Sequence, residues 1–238
     1  MSSKANHLFQ PQRTAEQELP LTVAVQGFGN FGSGIVNLLT KDPNYRVIAV
    51  SDSKGGILIE KGIEDAQKIV EHKRSTRSVI NFEGSKNISN KELLELDVDV
   101  LIPAALENQI TRENAEEIKT KVILELANGP TTPDTDGSLK KKGVELVPDI
   151  LANAGGVTVS YFEWVQNNQG YYWKDKEVEE KLREKMTGAT KEVWYTKLEL
   201  SVDTRMGDHP NPFSTIFLKK KKKRKTSLNL FNVWCTHE

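Results

Sequence analysis

The sequence predicts a doubly wound α/β domain, in which helices cover both faces of a mostly parallel sheet. Short apolar runs rich in β-branched residues alternate with longer amphipathic segments through most of the 238 residues. Nearly continuous apolar runs are typical of strands covered on both faces, and their alternation with helices indicates βαβ crossovers. A glycine-rich turn also joins the first such strand directly to the first helix. These three observations place the chain in the α/β class.

The elements of this domain follow from the same patterns, taken in chain order. Five strands are predicted, at Leu21–Gln26, Arg46–Ser51, Val98–Ile102, Val122–Leu126 and Val144–Val147. Six helices are predicted, at Asn30–Leu39, Glu64–His72, Arg112–Lys119, Asp136–Lys142, Gly156–Gln166 and Asp175–Trp194. We expect residues 1–20 to be a flexible lead-in, residues 21–206 to form the domain, and residues 207–238 to be a disordered, low-complexity basic tail.

Composition excludes several functional classes. The only cysteine, Cys235, rules out a disulfide framework, and the four histidines are scattered without the spacing of a zinc site. No apolar run approaches the ~18 residues of a membrane-spanning helix. The first residues also lack the apolar core of a secretory signal. We therefore expect a cytoplasmic protein without a metal site or a membrane segment.

Charge is unevenly distributed, although 33 basic residues balance 33 acidic ones. The run Lys219–Lys225 consists entirely of basic residues, so the rest of the chain is acidic. An acidic body does not indicate a nucleic-acid binder. We interpret the basic run as a solvated tail; the alternatives are a nuclear-targeting signal and a contact to a phosphate backbone.

The strongest local motif is a glycine loop between the first strand and the first helix, with the sequence Gly27-Phe28-Gly29-Asn30-Phe31-Gly32. In G-x-G-x-x-G, the first glycine permits a tight turn, the second admits a diphosphate close to the backbone, and the third lets the helix pack on the strand. The N–H groups and the dipole at the helix start favour an anion. The loop therefore predicts dinucleotide binding. A strand–helix turn without a ligand is the alternative for the motif taken alone.

An acidic residue, Asp52, ends the second predicted strand at the distance expected for a ribose-binding carboxylate. Its alternative role is that of an ordinary turn residue. A carboxylate here repels the 2′-phosphate of NADP and favours NAD. Ser53 and Lys54 follow at once, and their hydroxyl and ammonium groups could hold that phosphate. The sequence thus favours NAD and leaves NADP open.

Four stretches, one of which includes the start of the glycine loop, resemble one known family. They are Val23–Asn30, Ile102–Asn108, Glu125–Thr131 and Pro148–Val157, the last followed by Ser160–Trp164. On these segments the chain resembles the amino-acid dehydrogenases that act on glutamate, leucine, phenylalanine and valine, and is most similar to the glutamate dehydrogenases. The resemblance covers about Thr22 to Trp194 and implies a Rossmann-type dinucleotide domain.

The resemblance also implies individual roles. Asn30 would contact the dinucleotide, and three residues after the third strand would lie along it, namely Ala104, Ala105 and Asn108. Asn128 would reach the nicotinamide ribose, and Asn153 the carboxamide or the substrate. Val157 and Ser160 would line the amino-acid pocket, Ser160 facing the side-chain carboxylate of glutamate. Without the family, turn or cap roles for the asparagines and an ordinary helical position for Ser160 remain the alternatives.

The activity that the resemblance implies is oxidative deamination of L-glutamate to 2-oxoglutarate and ammonia, with a small-molecule amino acid as partner. In this family a preceding substrate domain supplies a lysine and an aspartate, and the residues before Thr22 match neither motif. We therefore expect no catalytic residue in this chain, which alone binds dinucleotide without being a competent dehydrogenase. The alternative function is a non-catalytic dinucleotide-binding or regulatory module that pairs with another subunit. A homo-oligomer and a complementary subunit are both compatible with the sequence. The bulky Phe31 could crowd the diphosphate.

Overall fold

The computed structural model describes residues 20–200. The predicted lead-in before Pro20 and the predicted tail, including Lys219–Lys225, lie outside the described residues. Within the described part, seven strands form one sheet: β1 (Leu21–Gln26), β2 (Tyr45–Asp52), β3 (Gly55–Leu58), β4 (Lys86–Ile88), β5 (Val100–Pro103), β6 (Val122–Leu124) and β7 (Glu145–Val147).

The sheet is mixed, with the strand order β4-β3-β2-β1-β5-β6-β7. Strands β2, β1, β5, β6 and β7 are parallel, and β3 and β4 extend the β2 edge in antiparallel fashion. The doubly wound α/β prediction is confirmed for the five parallel strands. The sequence patterns missed β3 and β4, since these strands are only four and three residues long and β3 begins with two glycines.

Seven helices are described: α1 (Asn30–Leu39), α2 (Ala66–Thr76), α3 (Asn90–Leu94), α4 (Asp136–Lys141), α5 (Asp149–Ala152), α6 (Ala154–Gln169) and α7 (Asp175–Leu200). The helix predicted over Arg112–Lys119 is reduced to one 3₁₀ turn, Ala115–Glu117. The Asn114 side chain explains this, because it accepts from the N–H of Thr111 (2.8 Å) and donates to the carbonyl of Gln109 (2.8 Å). Such side-chain bonds compete with helical ones.

Both faces of the sheet carry a hydrophobic core, as alternation along β1 requires. Val23 and Val25 face a core that includes Val36 of α1 and Ile69 of α2. Ala24 faces the other core, which α3 and α4 close with buried leucines. All three β1 side chains are fully buried. The central strand is therefore held on both sides, and its carboxyl end is fixed in position.

The amino edge of the sheet is fastened by Asp99, just before β5. Its carboxylate accepts from the N–H and hydroxyl of Thr22 (both 2.9 Å) and from the ammonium of Lys121 (2.8 Å). Burial raises the pKa of Asp99, but the bonds from Lys121 and Thr22 outweigh it and hold that pKa below its ordinary value. This network ties the starts of β1, β5 and β6 together, at the opposite edge from the predicted ligand site.

None of the helices between residues 20 and 200 combines the length and hydropathy needed to cross a bilayer. Over the same residues, no group of three or more histidine, cysteine, aspartate or glutamate side chains is arranged to hold a metal ion.

Candidate functional site

The candidate site lies at the carboxyl ends of β1 and β5, where the chain leaves two neighbouring strands toward opposite faces. After β1 it enters α1, whose Val36 belongs to one core. After β5 it continues to Ile110 and Ile118, which belong to the other core. Such a reversal opens a crevice beyond the strand ends, where ligands bind in open α/β sheets.

Two glycines of the loop are required by the protein itself. Gly27 has a φ of +95°, and a Cβ there would lie 2.8 Å from the Cβ of Ala105. A Cβ on Gly32 would lie 1.7 Å from the carbonyl oxygen of Gly27. The turn and the close helix–strand packing expected of these positions are therefore present, and Ala104 and Ala105 contact the loop directly.

Gly29 is different, because nothing in the described protein requires glycine there. Its backbone is extended (φ −83°, ψ −160°), a conformation open to any residue. A Cβ built on it meets no atom within 4 Å. The space above Gly29 is open, as close approach of a ligand to the backbone requires.

The start of α1 offers donors to an anion in that space. The first helical bond runs from the N–H of Ser33 to the carbonyl of Gly29 (2.8 Å). The N–H groups of Asn30, Phe31 and Gly32 precede it, and the first N–H groups of a helix have no partner within the helix. No side chain caps α1, and its first turn carries no acidic residue. The donors and the positive end of the helix dipole therefore face the crevice.

The two phenylalanines of the loop have different surroundings. Phe28 is only 3% exposed and packs in the core, so that its backbone alone can meet a ligand. The Phe31 side chain is 72% exposed, so most of the ring lies in solvent. Asn30 is exposed at the first position of α1.

Lys73, which was not predicted as a site residue, extends from α2 to the glycine loop. Its ammonium donates to the carbonyl oxygen of Phe28 at 2.8 Å. One of its three N–H donors makes this bond, so the ammonium has two more for an anion. In sequence Lys73 is one of two basic residues in the last turn of α2, a position that its helix dipole already explains.

Asp52 lies beside the loop but is held by the protein. It is 9% exposed, and its carboxylate accepts from the N–H of Val79 (2.7 Å), the N–H of Lys54 (2.9 Å) and the hydroxyl of Ser78 (3.2 Å). A carboxylate offers about four lone-pair sites, so a ribose hydroxyl would be a fourth donor. Asp52 therefore acts as a turn residue in this geometry and still has an acceptor site for one hydrogen bond from a ligand. Ser53 is exposed.

The loops after β5 and β6 form the other half of the crevice. The N–H of Ala104 donates to the carbonyl of Gln26 (2.8 Å), and that of Asn108 to the carbonyl of Gly129 (2.9 Å). Asn108 is exposed in a left-handed conformation, with a φ of +55°. Beyond β6, Asn128 lies next to Asn153, whose Nδ2 donates to the Asn128 Oδ1 at 2.7 Å. The structure thus brings together two asparagines that are 25 residues apart.

The residues predicted to contact the amino acid follow on α6. Val157 and Ser160 are one turn apart on this helix, and both are exposed. Tyr161 and Trp164 continue the exposed face, with their rings stacked at 5.9 Å. Helix α6 begins directly after Asn153, so this face starts at the crevice.

Comparison with known proteins agrees with this geometry. The family model described as Glutamate/Leucine/Phenylalanine/Valine dehydrogenase matches residues 9–223. The NADP-specific glutamate dehydrogenase of Synechocystis sp. is 51% identical over an alignment of 193 positions that covers 77% of this chain and 45% of that protein. The NAD-specific glutamate dehydrogenase of Staphylococcus aureus is 48% identical over 185 residues, again 77% of this chain and 44% of the relative.

Solved structures give the same result. The hetero-hexameric glutamate dehydrogenase of Thermus thermophilus, in its Leu-bound form, has a TM-score of 0.72 at 28% identity, over 79% of this chain and 44% of that one. The glutamate dehydrogenase of Peptoniphilus asaccharolyticus has a TM-score of 0.66 at 36% identity, over 86% and 47%. This chain spans less than half the length of each of these relatives. It belongs to the glutamate/leucine/phenylalanine/valine dehydrogenase family of oxidoreductases and comprises that family's dinucleotide-binding region.

Proposed function

We propose that this chain binds NAD across the carboxyl ends of β1, β5 and β6, as the cofactor-binding part of a glutamate dehydrogenase. The observation that carries this proposal is the open space at Gly29, because the fold has no need of a glycine there and a closely approaching ligand does. The diphosphate would bind to the N–H groups of residues 30–32. Charge-assisted bonds of this kind contribute about 1.5–3 kcal/mol each.

Lys73 supports the same placement of the diphosphate. Its ammonium is held 2.8 Å from the carbonyl of Phe28, so a positive charge lies beside the loop before any ligand arrives. The lysine loses little conformational freedom on binding, since part of its side chain is already fixed. Attraction between this ammonium and a diphosphate adds to that of the helix dipole.

NAD is proposed over NADP because the Asp52 carboxylate adjoins the expected ribose position, and a 2′-phosphate there would bring like charges together. NADP is the second candidate. Two groups favour it, the exposed side chains of Ser53 and Lys54, which can donate to a phosphate. Relatives of both specificities match the chain, the NADP-specific one at 51% identity and the NAD-specific one at 48%.

The nicotinamide half would extend past Ala104, Ala105 and Asn108 toward the Asn128–Asn153 pair. The amino acid would then lie against Val157 and Ser160 of α6. A bound nicotinamide would supply the hydride acceptor for oxidation of the amino acid, which with water yields the 2-oxo acid and ammonia. The residues of this chain bind and orient that group.

We propose that proton transfer to and from the amino acid is performed by groups outside these 238 residues. General acid–base assistance contributes ~10²–10⁴-fold to such reactions, so this part of the protein is expected to bind the dinucleotide without turning over glutamate. The proton-transfer groups would come from another part of the enzyme, which is a homo-oligomer or includes a complementary subunit. We propose that this enzyme is cytoplasmic.

A binding titration tests the proposal. Calorimetry of the purified chain with NAD is expected to show saturable binding at one site, whereas the same chain with NAD and L-glutamate is expected to form no NADH. Absence of NAD binding would contradict the cofactor proposal. Formation of NADH that depends on glutamate would contradict the proposal that catalytic groups are supplied from elsewhere.

A further inference from the structure

Two carboxylates near the asparagine pair (Asn128 and Asn153) have no role in the function proposed above. Glu125 directly follows β6 and is fully buried. Asp149 is the first residue of α5 and is partly buried. The Oε2 of Glu125 accepts from the N–H of Asp149 at 3.1 Å. The end of β6 therefore fixes the start of α5.

Asp149 in turn connects to both asparagines. Its Oδ2 accepts from the N–H of Gly129 at 2.8 Å, which fixes the residue next to Asn128. Its carbonyl accepts from the N–H of Asn153 at 2.9 Å, one helical turn later. Its Oδ1 accepts from the N–H of Ile150 at 2.7 Å, so that both carboxylate oxygens are engaged. Asp149 thus connects the loop after β6 to the start of α5 and contacts the backbone beside both asparagines.

The same arrangement fixes which atoms the asparagine pair presents. The Nδ2 of Asn153 faces two acceptors, the Oδ1 of Asn128 (2.7 Å) and the carbonyl of Leu126 (3.4 Å). Rotating the Asn153 amide by 180° would set its oxygen against that carbonyl, so the backbone decides the orientation. Both hydrogens of Asn153 Nδ2 are then used, and its Oδ1 remains as an acceptor. The Nδ2 of Asn128 remains as a donor beside it.

We propose that Asp149, held by Glu125, is a positioning residue that fixes the asparagine pair as one donor next to one acceptor. A donor next to an acceptor can form two hydrogen bonds with a ligand group that carries an acceptor next to a donor. The nicotinamide half of the cofactor has two such groups, its primary carboxamide and its pair of ribose hydroxyls. The inference rests on the proposed dinucleotide function and concerns only the nicotinamide half.

Comparing two ligands separates the inference from the function on which it rests. ADP-ribose carries the adenosine and the diphosphate without nicotinamide, whereas NADH carries all parts. Wild-type chain is expected to bind NADH more tightly than ADP-ribose and to change the nicotinamide fluorescence. In Asp149→Asn one backbone N–H loses its acceptor, and NADH affinity is expected to fall roughly tenfold, toward that of ADP-ribose, while ADP-ribose affinity stays unchanged.

The matched control is Asp42→Asn. Asp42 is also a turn carboxylate, accepting from the N–H (2.9 Å) and the Nδ2 (2.7 Å) of Asn44, but at the amino edge of the sheet. It is expected to change neither affinity. If Asp149→Asn fails to fold, Asp149→Ser serves instead, because a hydroxyl at a helix start still accepts one N–H bond.

The outcomes are distinct. Loss of both affinities in a folded Asp149 variant would show a purely structural role and overturn the inference. So would equal binding of NADH and ADP-ribose by the wild type, although the diphosphate site would stand. Binding of neither ligand would instead refute the proposed function itself.

A third ligand identifies the group that the pair recognises. Nicotinic acid adenine dinucleotide replaces the carboxamide by a carboxylate, which has no donor for the Asn153 oxygen. If the wild type binds nicotinic acid adenine dinucleotide more weakly than NAD, and Asp149→Asn binds the two equally, the pair recognises the carboxamide. Equal binding of the two, both weakened by Asp149→Asn, supports recognition of the ribose hydroxyls.

Discussion

Replacing Gly29 by serine is expected to stabilise the fold and weaken dinucleotide binding at the same time. Gly29 is the N-cap of α1 in an extended conformation that serine adopts without strain, and the added Cβ meets no protein atom within 4 Å. Serine caps a helix better than glycine by a few tenths of a kcal/mol, because its oxygen accepts from an N–H of the first turn. The same oxygen occupies the space and a donor that the diphosphate needs.

The size of the binding loss follows from those contacts. Loss of one charge-assisted bond and a weaker dipole interaction would cost about 2–4 kcal/mol. Since 1.4 kcal/mol is tenfold in affinity, the Kd for NAD is expected to rise roughly 30- to 1,000-fold. Calorimetry gives the Kd, and thermal unfolding without ligand gives the stability. Gly188→Ala, at another open glycine position in the middle of α7, is the control and is expected to leave the Kd unchanged.

The diagnostic result is a Gly29→Ser variant with a higher Tm and a weaker affinity for NAD. A glycine needed only for folding would lower Tm when replaced, and any loss of binding would follow from unfolding. A Gly29→Ser variant that binds NAD as tightly as the wild type would refute the placement of the diphosphate at this loop.

Three further outcomes are expected. Lys73→Ala removes the ammonium beside the loop and should weaken binding of NAD and NADP alike, by roughly tenfold, because both carry the diphosphate. Arg74→Ala, its exposed neighbour, should change neither affinity. Equal effects of the two variants in titrations would contradict a direct contact of Lys73 with the diphosphate. Gly32→Ala places a Cβ 1.7 Å from the carbonyl oxygen of Gly27. It should lower the free energy of unfolding by at least the ~1–3 kcal/mol of ordinary overpacking, measured as a lower Tm or as insoluble protein. An unchanged Tm would contradict this and show that the loop can move apart. The pKa of Asp99 is lowered in the folded state. Its bonds therefore stabilise the protein fully above the unfolded pKa of about 3.9, and this stabilisation is lost as the pH falls through the lower folded pKa. Asp99→Asn should unfold more easily at pH 7 and lose less stability on acidification; denaturant midpoints that change with pH as in the wild type would contradict this.

The parallel part of the fold could be predicted because it repeats one pattern. β1 and α1 match their predicted bounds, since a buried apolar run and a glycine loop mark the junction. Strands β3 and β4 lack such marks: Gly55 and Gly56 look like turn residues until pairing with β2 makes them a strand. The helix expected at Arg112–Lys119 failed because a single side chain, Asn114, bonds to the backbone on both sides.

The candidate site divides in the same way. The positive φ of Gly27 and the close approach of Gly32 to the Gly27 carbonyl could be predicted from sequence, because both arise within the loop. The bonds to Asp52 could not, since Ser78 and Val79 are 26 and 27 residues distant. Nor could the contact of Lys73 with Phe28, across 45 residues. Tertiary contacts of this kind appear in no local pattern, and they determine what the polar groups of the site have left to offer a ligand.

The central claim is that the N–H groups at the start of α1 bind the diphosphate of a nicotinamide dinucleotide. Amide chemical shifts of the ¹⁵N-labelled chain, followed during titration with NAD, test it most directly. The account predicts that the largest saturable shifts occur at Asn30, Phe31 and Gly32. Saturable binding that leaves these three amides unchanged would contradict it.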